Sequence, residues 1–149
     1  MEAALNIRKA TIDDIEAIAK MFDAYRMFYQ RPSDMEGATN FISERLLKNE
    51  SVILIAFLEN KAIGFAQLYP IFTSIGMQRT WLLNDLYIES SARGKGVASA
   101  MLNAAKDFGR STNSKWLMLQ TSTTNAAAQA LYEKNGWRKE NDIFYSFNL

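Results

Sequence analysis

The residues with the clearest chemical use run from Asp85 to Ser99, in the order Asp-Leu-Tyr-Ile-Glu-Ser-Ser-Ala-Arg-Gly-Lys-Gly-Val-Ala-Ser. The pattern predicts an apolar strand that runs into a glycine-rich loop, which opens directly into a helix. The first amides of a helix have no partner inside it and sit at the positive end of its dipole. Gly94 and Gly96 let the backbone approach a ligand without a Cβ between them, and Arg93 and Lys95 add positive charge beside it. Such a bend can hold a diphosphate. A solvated turn that only joins two elements uses the same spacing, and a Gly-x-Gly pair alone does not separate the two readings. Two other phosphate motifs fit poorly. The P-loop pattern is absent, and a dinucleotide fold wants a third glycine where Ser99 stands and an acid where the next strand ends in Leu119-Gln120-Thr121.

A second group lies further on. Tyr132 follows Asn125 by seven positions, about two helical turns, so both side chains share one helix face. On spacing alone, Tyr132 also reads as a core tyrosine packing on Leu131 and Trp137. A third group, Tyr25-Arg26-Met27-Phe28-Tyr29-Gln30-Arg31, is an aromatic cluster whose electron-rich faces suit a cation, or simply core packing.

Composition restricts the chemistry further. The 149 residues contain no Cys and no His, which excludes a thiolate nucleophile, a thiolate zinc site, an imidazole base and a Ser-His-Asp triad. Catalysis must come from Asp, Glu, Tyr, Lys, Ser, Thr or backbone amides. Seventeen Lys and Arg against 16 Asp and Glu leave a net +1, so no basic footprint points to nucleic acid. No apolar stretch approaches the roughly 20 residues of a membrane span, and the amino terminus lacks the pattern of a signal peptide. Absence of Cys fits a reducing, cytoplasmic setting. The expectation is one domain over 1–149, with no membrane and no nucleic-acid partner.

The elements that must position these groups follow from periodicity. Leu5 to Lys9 reads as a strand. A helix capped by Thr11 or Asp13 places Ile15, Ile18, Ala19, Phe22 and Tyr25 at helical spacing. Pro32 breaks the chain before a second helix from Met35 to Lys48. Val52 to Leu58 and Ala62 to Tyr69 flank Glu59-Asn60-Lys61 as a hairpin. Pro70 marks its end, and Thr73 to Arg79 reads as a polar connection. Trp81 to Ile88 is the strand before the loop, and Val97 to about Phe108 the helix after it. Trp116 to Thr121 is a strand, and Asn125 to Asn135 a helix stopped by Gly136. Trp137 to Glu140 and Asp142 to Phe147 read as closing strands. Phe144, Tyr145 and Phe147 either finish the core or form a subunit interface, and Arg138-Lys139-Glu140 reads as a solvated face. The fold class is α/β, mixed, with a central sheet of about six or seven mostly antiparallel strands.

The chain resembles the GCN5-related N-acetyltransferases. Arg93-x-x-Gly96-x-Ala98 matches their (Gln/Arg)-x-x-Gly-x-(Gly/Ala) signature. The likeness extends back through Leu83-Asn84-Asp85-Leu86-Tyr87-Ile88 and forward through Asn125 to Trp137, which looks like the family's second conserved helix. It implies that acetyl-CoA is the co-substrate and that no metal takes part. It also implies a twisted sheet in which two strands splay to admit the pantetheine arm. The amides of Gly94, Lys95, Gly96, Val97, Ala98 and Ser99, beside Arg93, would hold the pyrophosphate. Backbone groups of Leu86, Tyr87 and Ile88 would pair with the pantetheine. Asn125, Ala127, Ala128 and Tyr132 would line the opposite wall.

By the same resemblance, the acetyl group passes to a primary amine, of a small molecule or of an exposed protein residue. Lacking Cys and His, the chain has no obvious carrier for an acetyl-enzyme, so direct attack is the simpler route. Tyr132 becomes the expected general acid, a phenol near pKa 10 facing a thiolate near 8.5. Asp85 is the candidate for a structural acid, a substrate anchor or a water-mediated base, since Asn84 stands where some relatives carry Glu. Tyr25, Phe28, Tyr29, Trp81 and Asn84 are the expected acceptor-side residues, with Gln67 and Tyr69 nearby. Relatives are often dimers, which admits a homodimer here. A non-catalytic acyl-CoA-binding module and a nucleotide-binding regulatory domain are the alternatives.

Overall fold

A computed structural model describes residues 4–149. In chain order it contains β1 (Leu5–Lys9), a 3-10 turn (Ile12–Asp14), α1 (Ile15–Phe28), α2 (Met35–Leu47), β2 (Val52–Leu58), β3 (Lys61–Thr73) and β4 (Gln78–Ile88). A second 3-10 turn (Ser90–Ala92), α3 (Val97–Ser111), β5 (Leu117–Met118) and α4 (Ala126–Lys134) complete it. The five strands lie side by side in sequence order; β1 to β4 are antiparallel, and β5 joins β4 in parallel after the α3 crossover.

Local chemistry accounts for most boundaries. Thr11 and Asp14 form a reciprocal capping box ahead of α1, and the Asp34 carboxylate accepts from Gly37 N to start α2. Glu59 and Asn60 both adopt positive φ, 48° and 68°, which is the two-residue turn that matches strand twist. The hairpin expected there forms.

The sheet separates two apolar layers. Ile53, Ile55 and Phe65 face α1 and α2, packing with Ile18, Met21 and Ile42. Leu54, Ala56, Ala66 and Leu68 face α3, packing with Val97, Met101, Leu102 and Ala105. Burial on both faces is why β2 reads as an unbroken apolar run.

Three expectations need correction. β3 continues through Pro70 to Thr73 and β4 begins at Gln78, so the expected polar connection shrinks to a turn over Ser74 to Met77. Pro70 is tolerated because β2 pairing ends at Leu68, leaving that stretch of β3 an edge on the side of the missing N–H. The strand expected over Trp116 to Thr121 shrinks to Leu117–Met118. The closing strands expected at Trp137 to Glu140 and Asp142 to Phe147 do not form, so the described sheet has five strands rather than six or seven. Their alternation suits a strand, but a strand needs a ladder partner, and these residues meet none.

Candidate functional site

The site is organised by one irregularity in β4. Gln67 faces Asp85 and Leu68 faces Leu83, so Asn84 has no partner on β3. This bulge reverses the side-chain alternation. Asp85 and Tyr87 turn to the α1 face, while Leu83, Leu86 and Ile88 turn to the α3 face. Without the extra residue, Leu83 would sit on the same face as Asp85.

On its other edge, β4 pairs with β5 only at Trp81–Leu117 and Leu82–Met118. From Leu83 to Ile88 that edge has no strand beside it. An open ladder edge presents alternating N–H and C=O groups to whatever lies in the gap. The edge leads straight to the loop, where Gly94 and Gly96 have φ of 74° and 77°. A Cβ at either position would meet nothing within 4 Å. Glycine is required there by backbone conformation, not by crowding inside the protein. No side chain caps α3, although α2 and α4 both have caps. Its leading amides have no side-chain partner among the described residues.

The two basic residues of the loop differ. Arg93 Nε donates to Ile88 O at 2.9 Å, and its guanidinium lies 6.0 Å from the Phe28 ring. Arg93 therefore braces the end of β4 and touches α1. Lys95 is exposed and makes no ion pair among the described residues.

The inner end of the groove is polar and buried. Ser51 Oγ donates to Gln67 Oε1 at 2.8 Å, and Gln67 Nε2 donates to Asp85 Oδ2 at 2.9 Å. Asn84 Nδ2 donates to Asp85 Oδ1 at 3.2 Å. Asp85 is 6% exposed and Gln67 fully buried, yet no Lys or Arg pairs with Asp85 among the described residues. A buried carboxylate whose partners are all neutral amides leaves room for a cation as its counter-ion. Its field reaches two phenols. Burial first, then Asp85, raises Tyr25 well above the ordinary range, and the same causes push Tyr69 up to about 12.

Tyr25 and Tyr29 meet edge to face with ring centroids 5.0 Å apart, and Phe28 and Tyr29 with centroids 5.4 Å apart. Tyr25 also packs on Tyr87 at 6.3 Å. Of the expected acceptor-side residues, the structure thus brings Tyr25, Phe28 and Tyr29 together near Asp85 and Asn84. Trp81 is placed elsewhere. It is buried against Phe108 with ring centroids 4.9 Å apart, and its Nε1 donates to Thr112 Oγ1 at 2.9 Å. The bulge is the reason, because it returns the residues before Asn84 to the α3 layer.

Helix α4 supplies the facing wall. Asn125 caps it, with Oδ1 accepting from Ala128 N at 3.0 Å. Ala127 is exposed and Ala128 half-buried. Tyr132 is half-buried beside Trp137, and burial, then the neighbouring Tyr29, raises its pKa above the ordinary phenol value. α4 has no buried residue. It rests on α3 through Asn135, whose Nδ2 donates to Ser99 Oγ at 3.1 Å and whose carbonyl accepts from Lys106 Nζ.

Sequence reasoning missed Ser51 and the link from Tyr29 to Tyr132. Ser51 sits outside any motif, and only the register of β2, β3 and β4 brings it to Gln67. Two surface hollows, one at Ala4, Asn6, Arg8, Phe57, Glu59 and Asn60 and one around Lys106 and Trp116, lie away from this groove. The groove itself is open along its β5 side. Among the described residues, no helix is long and apolar enough to cross a membrane and no cluster of three metal-ligating side chains occurs.

Comparison with known proteins bears on this geometry. The model of the acetyltransferase (GNAT) family matches residues 18–137. An uncharacterized N-acetyltransferase of Bacillus subtilis, YhfO, is 44% identical over 146 residues, covering 97% of this chain and 98% of its own. The crystal structure of a probable acetyltransferase superposes with TM-score 0.93 at 35% identity, covering 97% of each chain. An aminoglycoside N-acetyltransferase, AAC(6')-Iy, solved in complex with CoA, shares the fold at TM-score 0.80 and 20% identity, covering 100% of this chain and 98% of that one.

Proposed function

The chain belongs to the GNAT acetyltransferase family, and on that premise we propose that it transfers the acetyl group of acetyl-CoA directly to a primary amine of a small molecule. The observation that carries the reading is the strand-free edge of β4 from Leu83 to Tyr87, which leads through the Arg93-braced end at Ile88 to the uncapped start of α3. That length of free edge suits an extended amide-bearing arm ending in a diphosphate.

In this reading the amides of Gly94 to Ser99, with Lys95 beside them, hold the pyrophosphate. Leu86, Tyr87 and Ile88 hold the arm by main-chain hydrogen bonds, and Arg93 keeps the strand end and loop in register. Asn125, Ala127 and Ala128 close the far side. When bound, acetyl-CoA supplies an activated acyl group with a thiolate leaving group.

The protein's own residues manage the amine and the protons. Asp85, fixed by Gln67 and Asn84, anchors the ammonium and takes its proton through water. Tyr25 and Tyr69 stay protonated, since their pKa values are raised, so they orient the amine rather than deprotonate it. Phe28 and Tyr29 line the entrance. Tyr132 Oη holds a proton throughout the neutral range and gives it to the departing sulfur. One domain over 1–149, acting in the cytoplasm as a homodimer, completes the proposal.

The test pairs calorimetric titration of CoA with a thiol-release assay over a panel of small amines and lysine peptides. Binding together with turnover on at least one small amine supports the reading. Turnover on peptides alone moves the acceptor to a protein amine. Tight binding with no turnover on any amine favours a non-catalytic acyl-CoA-binding module, and absence of binding overturns the assignment.

A further inference from the structure

Ser51 lies just ahead of β2, outside every motif. Its place is set by the end of α2. Glu50 N donates to Arg45 O at 2.9 Å and Asn49 takes a left-handed φ of 52°, so the chain leaves α2 in a closed turn and enters β2 at once. Carried back from Ile53, which pairs with Gln67, strand alternation puts Ser51 on the α1 face. The Ser51 hydroxyl therefore meets Gln67 from a diagonal position, with Oγ 2.8 Å from Oε1.

This contact is the outer end of a buried chain. Gln67 is fully buried, while Ser51 and Asp85 are 7% and 6% exposed. An ionised carboxylate only accepts, so the amide must turn its hydrogens toward Asp85 and its oxygen away. Buried there, that oxygen needs a donor. Ser51 is the donor. Its bond also polarises the amide, which strengthens the N–H that Gln67 gives to Asp85 Oδ2 at 2.9 Å. The other contact to the carboxylate is weaker, since it comes from the adjacent, exposed Asn84 at 3.2 Å.

Resting on the reading that Asp85 anchors the acceptor ammonium, we propose that Ser51 is a positioning residue for the acceptor: through Gln67 it holds the Asp85 carboxylate in the orientation that receives the amine. Ser51 acts from behind Gln67, with the amide between it and the carboxylate. Without the hydroxyl, Gln67 keeps a buried carbonyl that lacks a donor, or turns that carbonyl onto Asp85. Either outcome loosens the carboxylate, and neither touches the free edge of β4 or the loop at Gly94 and Gly96. Amine recognition is therefore separable from cofactor binding.

The test is a double-mutant cycle in the full chain, read on the KM for the amine. Ser51→Ala should raise that KM about 5-fold, the worth of one neutral hydrogen bond, while kcat and the calorimetric Kd for CoA hold. Ser51→Thr keeps the hydroxyl and should restore the wild-type KM. Because Ser51 works through Asp85, adding Ser51→Ala to Asp85→Asn should leave the KM near the single variant's rise of about 10-fold, whereas independent effects would multiply to about 50-fold. The multiplied effect, or an unchanged KM in Ser51→Ala, overturns the proposal. So does a Ser51→Ala protein in which KM, kcat, CoA affinity and melting temperature all worsen together, since that is the mark of a structural role alone. The NMR signals of the Gln67 side-chain amide need no turnover and separate the two ideas. Ser51→Ala should shift them, as Asp85→Asn does, and Ser51→Thr should not. Unmoved signals contradict the positioning role alone. Shifted signals in a protein that acetylates no amine, or whose amine KM ignores Asp85→Asn, contradict the functional reading alone.

Discussion

Helices α1 and α4 face each other across the groove, but they are held differently. α1 buries Ile18, Ala19, Met21 and Asp23 and packs on the sheet through a continuous apolar layer. No residue of α4 is fully buried, and the helix is tied down by polar contacts at Asn135 and by half-buried packing of Leu131 and Tyr132, with Trp137 just beyond it. The first wall is set by folding. The second owes its position mainly to hydrogen bonds and half-buried side chains. On the proposed function, a fixed anchor for the acceptor opposite a looser wall carrying the acid would let products leave without disturbing the core.

The comparison predicts that changes on the α4 wall alter chemistry with little effect on stability, and that changes beneath α1 do the reverse. The largest effect should come from Tyr132→Phe. The kcat falls about 10²–10³-fold while CoA affinity and melting temperature hold; stopped-flow thiol release and a thermal scan check this, and a large drop in melting temperature would mean that Tyr132 is mainly a packing residue. Asp85→Asn should raise the KM for the amine about 10-fold and lower kcat/KM accordingly. An unchanged profile at every pH removes Asp85 from the mechanism.

Asp23 tests the anchored side. It accepts from Asp34 N and Ser33 Oγ, both at 2.7 Å, which holds its carboxyl below the usual range. A lowered value contributes stability above the unfolded pKa near 3.9 that is lost as pH falls through the folded one. Asp23→Asn should therefore cost about 1 kcal/mol in urea unfolding at pH 7, converge with the wild type in acid, and leave kcat unchanged. The smallest effect links the two walls. Tyr29 raises the Tyr132 pKa, so Tyr29→Phe should move the basic limb of kcat to lower pH.

The ordered half of this molecule was readable because its signals are local. Val97, Met101, Leu102 and Ala105 are buried as helical spacing requires, and Glu59-Asn60 turns a hairpin between two apolar runs. The loop at Gly94 and Gly96 also reads locally, since positive φ is a property of the residue itself. What escaped is what depends on register. The bulge at Asn84 decides which side Trp81 takes, and no local pattern announces a bulge. Ser51 reaches Asp85 only across three strands. The alternation after Trp137 was visible, but whether a strand forms there depends on an edge supplied by another part of the structure.

The central claim is that the bend between β4 and α3 holds a diphosphate through amides whose geometry two glycines permit. Calorimetric titration of CoA into the wild type and into Gly94→Val/Gly96→Val tests it most directly. Left-handed backbone costs a branched residue roughly 1–2 kcal/mol per position; the exposed loop of the variant escapes that cost by relaxing to another conformation, so it should bind at least about 10-fold more weakly while its melting temperature stays close to that of the wild type. Equal affinity in the two proteins would contradict the account.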